Sequence, residues 1–316
     1  MKIITLTLNP AFDIHCHADG FLPYRESIVE ITSRDAGGKG VNISRALCAF
    51  SRSNTAVIVV GDENGEEFCN LLAKESISVT FITCHGRIRE NITLHESQKP
   101  ETRISFGGFA LEASAFEEIQ GKIGECDENT LITFTGSIPK GIEKTEVMRM
   151  LADFRMRGAK VVIDSRSVTL SEILECRPWL IKPNLHEMEG YIGREIKTVE
   201  DAATVAKELC ACGVENVMIS LGENGAVLAT EKGTFYAKAP SVSVKSTIGA
   251  GDSSIAGFLD AYAEGLSQEE MLKRAVAFGT ASCMREGTKP PLPKDVLKIL
   301  EKIAVVTILP ASLAKD

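Results

Sequence analysis

Short apolar runs alternate with amphipathic stretches of helical spacing along most of this chain. Residues 2–8 read as a buried strand that Asn9-Pro10 ends. Strands follow over 55–60 and 79–83, with a helix over 66–75 between them. From residue 111 the alternation is regular. Helix 112–124 leads to strand 131–134, and helix 143–157 to strand 160–163, which ends at Asp164. Strand 179–182 runs into Pro183-Asn184 and a helix bearing Glu187, and helix 199–211 leads to strand 217–220. Residues 225–229 and 234–238 pattern as a hairpin, and 242–245 as a last strand. A helix over 253–264 then carries Ile255, Phe258, Leu259 and Tyr262 at helical spacing. Such alternation predicts an α/β fold, a mostly parallel sheet with helices on both faces. Ligands of such sheets gather at the C-terminal strand ends. Gly136-Ser137, Asp164, Asn184, Ser220-Leu221-Gly222 and the turn 249–252 all fall there.

Two stretches keep a different period. Around 11–36 and 87–107, polar residues alternate with Ile14, Ile28, Ile31, Ile88, Ile92 and Ile104. This is the pattern of exposed antiparallel strands. The two stretches are expected to form a small four-stranded sheet projecting from the core, a lid or an oligomer contact. So many β-branched residues on a thin lid need a partner, and a homodimer through the lid is expected. His15 and His17 read as partly exposed strand residues. Arg87, Arg89 and Arg103 stand out in an acidic chain, and Arg89 or Arg103 suits a phosphate clamp.

Two glycine-rich turns open helices. Thr247-Ile248-Gly249-Ala250-Gly251-Asp252-Ser253 joins a predicted strand to a predicted helix, and helix N-termini present unpaired N–H groups to anions. Asp252 in such a place is either an N-cap or a base facing a phosphoryl group. The turn lacks the third glycine of a dinucleotide fingerprint, since Ser254 occupies that position. The second turn, Gly37-Gly38-Lys39-Gly40, precedes a helix through Ala49 and implies close approach of a ligand or of another backbone. Gly40 follows Lys39 where a Walker A loop needs Ser or Thr. In that helix Val41, Ala46 and Leu47 form the expected packing face, and Ser44 and Arg45 the polar one.

The 316 residues fit two domains or one large α/β domain with an appendage. The balance of 44% hydrophobic and 25% charged residues is that of a soluble globular protein. A net charge of -8 gives no reason to expect nucleic acid, and a phosphorylated ligand needs a local basic patch. No apolar run is long enough to span a membrane, and residues 1–8 lack the pattern of a signal peptide. Nine scattered cysteines, an odd number, point to a reducing cytosol rather than a disulfide framework.

The motifs together resemble the PfkB, or ribokinase-like, carbohydrate kinase family over nearly the whole chain. Asn9-Pro10-Ala11-Phe12-Asp13 resembles its N-terminal sugar motif, and Gly37 through Asn42 its first signature. Lys182-Pro183-Asn184-Leu185-His186-Glu187 resembles its Asn-x-x-Glu motif, and Thr247 through Asp252 its second signature. Thr135 through Pro139, Pro178-Trp179-Leu180 and Ser246 through Gly249 look most like the hexose-phosphate branch that uses fructose 1-phosphate. Arg103 matches the branch that uses 6-phosphates. The resemblance implies one three-layer ribokinase-like domain over 1–316 with a β lid from about 11–36 and 87–107. It implies ATP and Mg²⁺. Asp252 is then the base, in a catalytic turn with Gly249 and beside an anion hole of the Ala250, Gly251 and Asp252 backbone amides. Asp13 and Asn42 would hold sugar hydroxyls beside the Gly37–Gly40 turn with its Gly38; Arg89 and Ser137 would grip the substrate's phosphate, and Lys39 and Arg103 are further candidates for that contact. Asn184, Ser220, Gly222 and Gly225 would line the nucleotide pocket, and Glu187 with Asn184 would organise Mg²⁺ through water.

Overall fold

The computed structural model describes residues 1–22, 24–96 and 101–309. In chain order the elements are β1 (Lys2–Thr7), β2 (Ala11–Ala18), β3 (Glu30–Gly37), α1 (Lys39–Ala49), β4 (Thr55–Gly61), α2 (Gly65–Leu72) and β5 (Ser78–Cys84). Then come β6 (Arg89–Glu96), β7 (Thr102–Ser105), α3 (Ala113–Ile123), β8 (Thr130–Thr135), α4 (Lys144–Met156), β9 (Lys160–Asp164), α5 (Leu170–Cys176) and β10 (Leu180–Ile181). The chain continues with α6 (Leu185–Ile192), α7 (Val199–Ala211), β11 (Asn216–Ser220), β12 (Ala226–Thr230), β13 (Gly233–Ala237), α8 (Ala250–Ala263), α9 (Gln268–Cys283), α10 (Pro293–Leu300) and β14 (Val305–Thr307).

One sheet has ten strands in the order β14-β13-β12-β11-β10-β9-β8-β1-β4-β5. From β11 to β5 every pairing is parallel, and the β12–β13–β14 edge is antiparallel. Neighbouring strand residues fall into different apolar clusters. Ile3, Leu131, Val162 and Met218 pack with Leu47, Phe258 and Phe278 of α1, α8 and α9. Ile4, Ile132, Val161 and Val217 pack with Phe68, Leu151 and Leu209 of α2, α4 and α7. Because side chains alternate across a strand, this division makes the sheet the middle of three layers.

The second sheet runs β3-β2-β6-β7. β6 and β7 are antiparallel, as their alternation predicts, while β2 and β6 are parallel and join the two stretches. The six isoleucines do not share a face. Ile14 and Ile88 are buried beneath the sheet, whereas Ile28, Ile31 and Ile104 are exposed. His15 is buried rather than partly exposed, its Nδ1 2.9 Å from His95 Nε2.

Three further expectations fail. Residues 242–245 form no strand; Lys245 and Ser246 N–H donate to the Cys283 carbonyl instead of to a sheet. The helix predicted over 66–75 ends at Leu72, after which the chain turns. Ser44 and Arg45 are buried, because α1 is enclosed on the side the sequence marks as polar. Ser44 Oγ meets Thr5 Oγ1 at 2.7 Å, and Arg45 is spent on internal partners. No helix among the described residues is long and apolar enough to cross a membrane.

Candidate active site

The C-terminal ends of the parallel strands and the underside of the small sheet enclose a cleft of about 410 Å³. Asp13, Gly38, Lys39, Asn42, Arg89, Arg103, Asn184, Glu187, Ser220, Gly249, Gly251 and Asp252 all reach its wall. The residues singled out from sequence thus converge from seven separate chain segments.

Gly249 is the N-cap of α8, with φ 79 in the left-handed region that favours glycine. Asp252 therefore sits in the first turn of the helix, and it is not the cap. Its carboxylate is buried and its Oδ2 accepts a bond from Asn42 Nδ2 at 2.9 Å. Burial pushes its pKa up to about 6; Lys39, the Asn42 bond and Lys182 oppose that rise, and Asp164 adds to it. First-turn N–H groups of Gly251 and Asp252 have no intrahelical acceptor. The Ala250 N–H is different: it lies 3.3 Å from the Thr247 carbonyl, which it serves as donor, and Ala250 stays off the cleft wall.

Two lysines flank the helix start. Lys39 Nζ donates to Asp164 Oδ2 at 3.1 Å, and Lys182 Nζ stands 3.7 Å from the same oxygen. Burial would raise the pKa of Asp164, but Lys182 and Lys39 outweigh it and hold the carboxyl below its ordinary value. Burial likewise opposes the charge on Lys39, and Asp164 and Asp252 overcome it and raise its pKa. A Cβ on Gly251 would lie 3.0 Å from Lys182 Nζ, so that glycine lets an ammonium rest against the helix N-terminus. Asp164 and Lys182 have no assigned role in the sequence reading. Their signal was position alone: Asp164 closes β9 and Lys182 directly follows the neighbouring parallel strand β10.

On the lid side, Asp13 Oδ1 accepts from Asn91 Nδ2 at 3.0 Å. Gly37 is not on the wall. It stands behind Asp13, and a Cβ there would overlap Asp13 Oδ2. Arg89 Nη2 donates to the Asn9 carbonyl at 3.5 Å, while its Nε is buried with no hydrogen-bond partner. Burial and the neighbouring Arg103 lower its pKa, with Asp13 opposing. Two guanidinium groups thus face one cleft with a donor still unused. Ser137 is off the wall too; its Oγ accepts from Asn9 Nδ2 at 2.8 Å, which ties it to Arg89 through Asn9.

Asn184 and Glu187 form a reciprocal capping box at α6 rather than two points on one helical face. Glu187 N–H donates to Asn184 Oδ1 at 2.8 Å, and Asn184 N–H to Glu187 Oε2 at 3.0 Å. Glu187 Oε1 accepts from Arg166 Nε at 2.6 Å. Ser220 is on the wall, bonded through its N–H to the Pro183 carbonyl at 3.0 Å. Gly222 and Gly225 bracket a 3₁₀ turn away from this cleft. Gly225 is required by packing, since a Cβ there would overlap the Ala237 carbonyl.

Chemically, the cleft joins a buried carboxylate of raised pKa, unpaired helix N–H groups, two lysines and three arginines, Arg89, Arg103 and Arg166. Such a set has the chemistry to deprotonate a hydroxyl and to hold phosphate charge. Comparison with known proteins agrees. Residues 11–295 match the pfkB family carbohydrate kinase profile. The 1-phosphofructokinase of Vibrio cholerae is 30% identical over 310 residues, 98% of each chain. The ATP-dependent 6-phosphofructokinase isozyme 2 of Escherichia coli K12 is 28% identical over 302 residues, 95% of this chain and 98% of that one. The crystal structure of Escherichia coli phosphofructokinase-2 with substrates and products superposes with a TM-score of 0.90 at 28% identity, covering 96% of this chain and 99% of that one. This chain belongs to the pfkB family of carbohydrate kinases and is a sugar-phosphate kinase, a phosphotransferase acting on a sugar hydroxyl.

Proposed function

We propose that this chain phosphorylates fructose 1-phosphate to fructose 1,6-bisphosphate at the expense of ATP. The observation that carries the reading is the placement of Asp252. It is buried, bound on one oxygen by Asn42, and faces a cleft whose far side bears Arg89 and Arg103. Asp252 takes the proton of the sugar hydroxyl as its oxygen attacks the γ-phosphorus and the bond to ADP breaks. The N–H groups of Gly251 and Asp252, with Lys39 and Lys182, stabilise charge on the transferring group. Asp13, Asn42 and the turn from Gly37 through Lys39 orient the sugar. Asn184 and Ser220 border the nucleotide, with Gly222 and Gly225 shaping the turn beside it.

Asn184 and Glu187 offer oxygen donors only, which suits a hydrated Mg²⁺ held through its water. When bound, Mg²⁺ neutralises phosphate charge between donor and acceptor. The chain is taken to work in the cytoplasm. The exposed lid residues Ile28, Ile31, Ile104 and Phe106 support a homodimer through the lid.

Relatives named 1-phosphofructokinase support fructose 1-phosphate. One observation favours a second reading, fructose 6-phosphate or tagatose 6-phosphate: Arg103 lines the cleft beside Arg89. The deciding experiment is a coupled ADP-release assay over the three sugar phosphates. The expected kcat/KM is highest for fructose 1-phosphate. A value about tenfold higher for either 6-phosphate, a difference of about 1.4 kcal/mol, reverses the choice of sugar.

A further inference from the structure

Arg45 lies on α1, three residues beyond Asn42, and is only 8% exposed. Four of its five N–H donors have partners. Nε and Nη2 donate to the two oxygens of Glu75 at 2.6 and 2.7 Å, and Nη2 also donates to the Ala36 carbonyl. Nη1 donates to Asn42 Oδ1 at 3.2 Å. Asn42 Nδ2 then donates to Asp252 Oδ2. The sense of this chain is dictated by chemistry. A guanidinium only donates and a carboxylate only accepts, so Asn42 must turn its oxygen to Arg45 and its NH₂ to Asp252.

A buried ion pair is a poor way to add stability, since an apolar side chain of similar volume commonly does as well. What the pair supplies here is direction. Glu75, at the solvent end, fixes the plane of the guanidinium by a bidentate contact. The guanidinium fixes the amide, and the amide occupies one oxygen of the carboxylate. The Ala36 carbonyl belongs to β3, next to the strand of Asp13, so the same group ties the lid to the helix carrying Asn42.

We propose that Arg45 is a positioning residue for phosphoryl transfer. Braced by Glu75, it locks the Asn42 amide so that one Asp252 oxygen is bound and the other is free for the attacking hydroxyl. The inference rests on Asp252 acting as the base. The charged groups around that carboxylate are Lys39 on α1, Asp164 at the end of β9 and Lys182 after β10, and none of them depends on Arg45 for its contact.

The test is a double-mutant cycle on the full chain with Arg45→Met, Asn42→Ala and the pair, read as kcat, both KM values, thermal midpoint and the pH profile of kcat. Arg45→Met is expected to lower kcat about tenfold or more, because small misplacements of reacting groups carry losses of that order. KM for ATP should hold, and the acid limb of kcat should move to higher pH as Asn42 donates less well to ionised Asp252. In the Asn42→Ala background the same change should cost less than about threefold, since interacting residues are not additive. Arg45→Lys should recover the thermal midpoint but not kcat, because an ammonium cannot span Glu75 and Asn42 as a fork does. Equal losses in both backgrounds, or a lowered midpoint with kcat intact, overturn the proposal. If Arg45→Met fails to fold, Glu75→Gln at the exposed end takes its place in the cycle with the same outcomes. An active Asp252→Asn enzyme refutes the base assignment, whereas an inactive one with an additive cycle refutes only the role of Arg45.

Discussion

As the proposed base, Asp252 would serve function against stability. With its pKa raised from 3.8 to about 6, the folded state holds this proton more tightly than the unfolded chain does. Stability therefore falls as pH rises through the window from about 4 to about 6 and stays lower above it. Two outcomes follow. Asp252→Asn should lower kcat about 100-fold or more, the scale of a lost general base, while ATP still binds. The same substitution should raise the thermal midpoint at pH 8, by an amount equivalent to at most about 3 kcal/mol for a shift near two units. Scanning calorimetry on both proteins at pH 4 and pH 8 checks the sign: the gap must widen at the higher pH. In wild-type enzyme kcat/KM, which reports the free enzyme, should rise with pH and level off above about 6. Replacing Lys39 by Met should push that limb upward, because Lys39 favours the ionised carboxylate.

At the scale of elements, the glycine turn at 37–40 couples a strand of the small sheet to α1. Gly37 ends β3 and leaves room for Asp13 on β2, its cross-strand neighbourhood. Gly37→Ala should displace the Asp13 carboxylate without disturbing either apolar cluster. The expected result is a rise of about ten- to 100-fold in KM for the sugar phosphate, the scale of one hydrogen bond to a charged group. KM for ATP and the thermal midpoint should change little. Unaltered sugar KM would show that Asp13 does not contact the substrate. Arg89→Ala tests the other end of the cleft, and should cost about 1.5–3 kcal/mol in kcat/KM for the sugar phosphate and much less for the free sugar.

For the whole molecule, the question is what covers the lid. Ile28 is 90% exposed and Ile31 61% at the β3 edge of the small sheet, and Ile104 and Phe106 are exposed at its opposite, β7 edge. Apolar residues exposed this way mark an association surface. Sedimentation at micromolar concentration should give about twice the mass of one chain, and Ile31→Lys should return it to one, since a lysine there must be desolvated on pairing. A monomeric wild type, with and without substrate, contradicts the lid dimer.

How much of this was legible beforehand varies with the kind of interaction. The alternation of buried strands and amphipathic helices is local, so the three-layer core could be read from spacing, as could the two glycine turns and the carboxylate after the second. Length and apolar content settled that a large core would form. Side-chain environments are not local. Arg45 reads as a solvent-facing residue because its neighbours on α1 are known from sequence, whereas Glu75 and the Ala36 carbonyl come from elsewhere in the chain. The lysine pair around Asp164 escaped notice for the same reason: the partners are 125 and 18 positions away along the chain and share one oxygen only after the strands align. Residues 242–245 have strand composition but pair with no strand, and the Lys245 and Ser246 N–H groups go to the Cys283 carbonyl of α9. Pattern alone determined the layers and the turns that face a ligand. Which carboxylate is buried, which cations surround it and which arginine holds its neighbour were decided by tertiary contact, because burial and charge pairing depend on residues that only folding brings together.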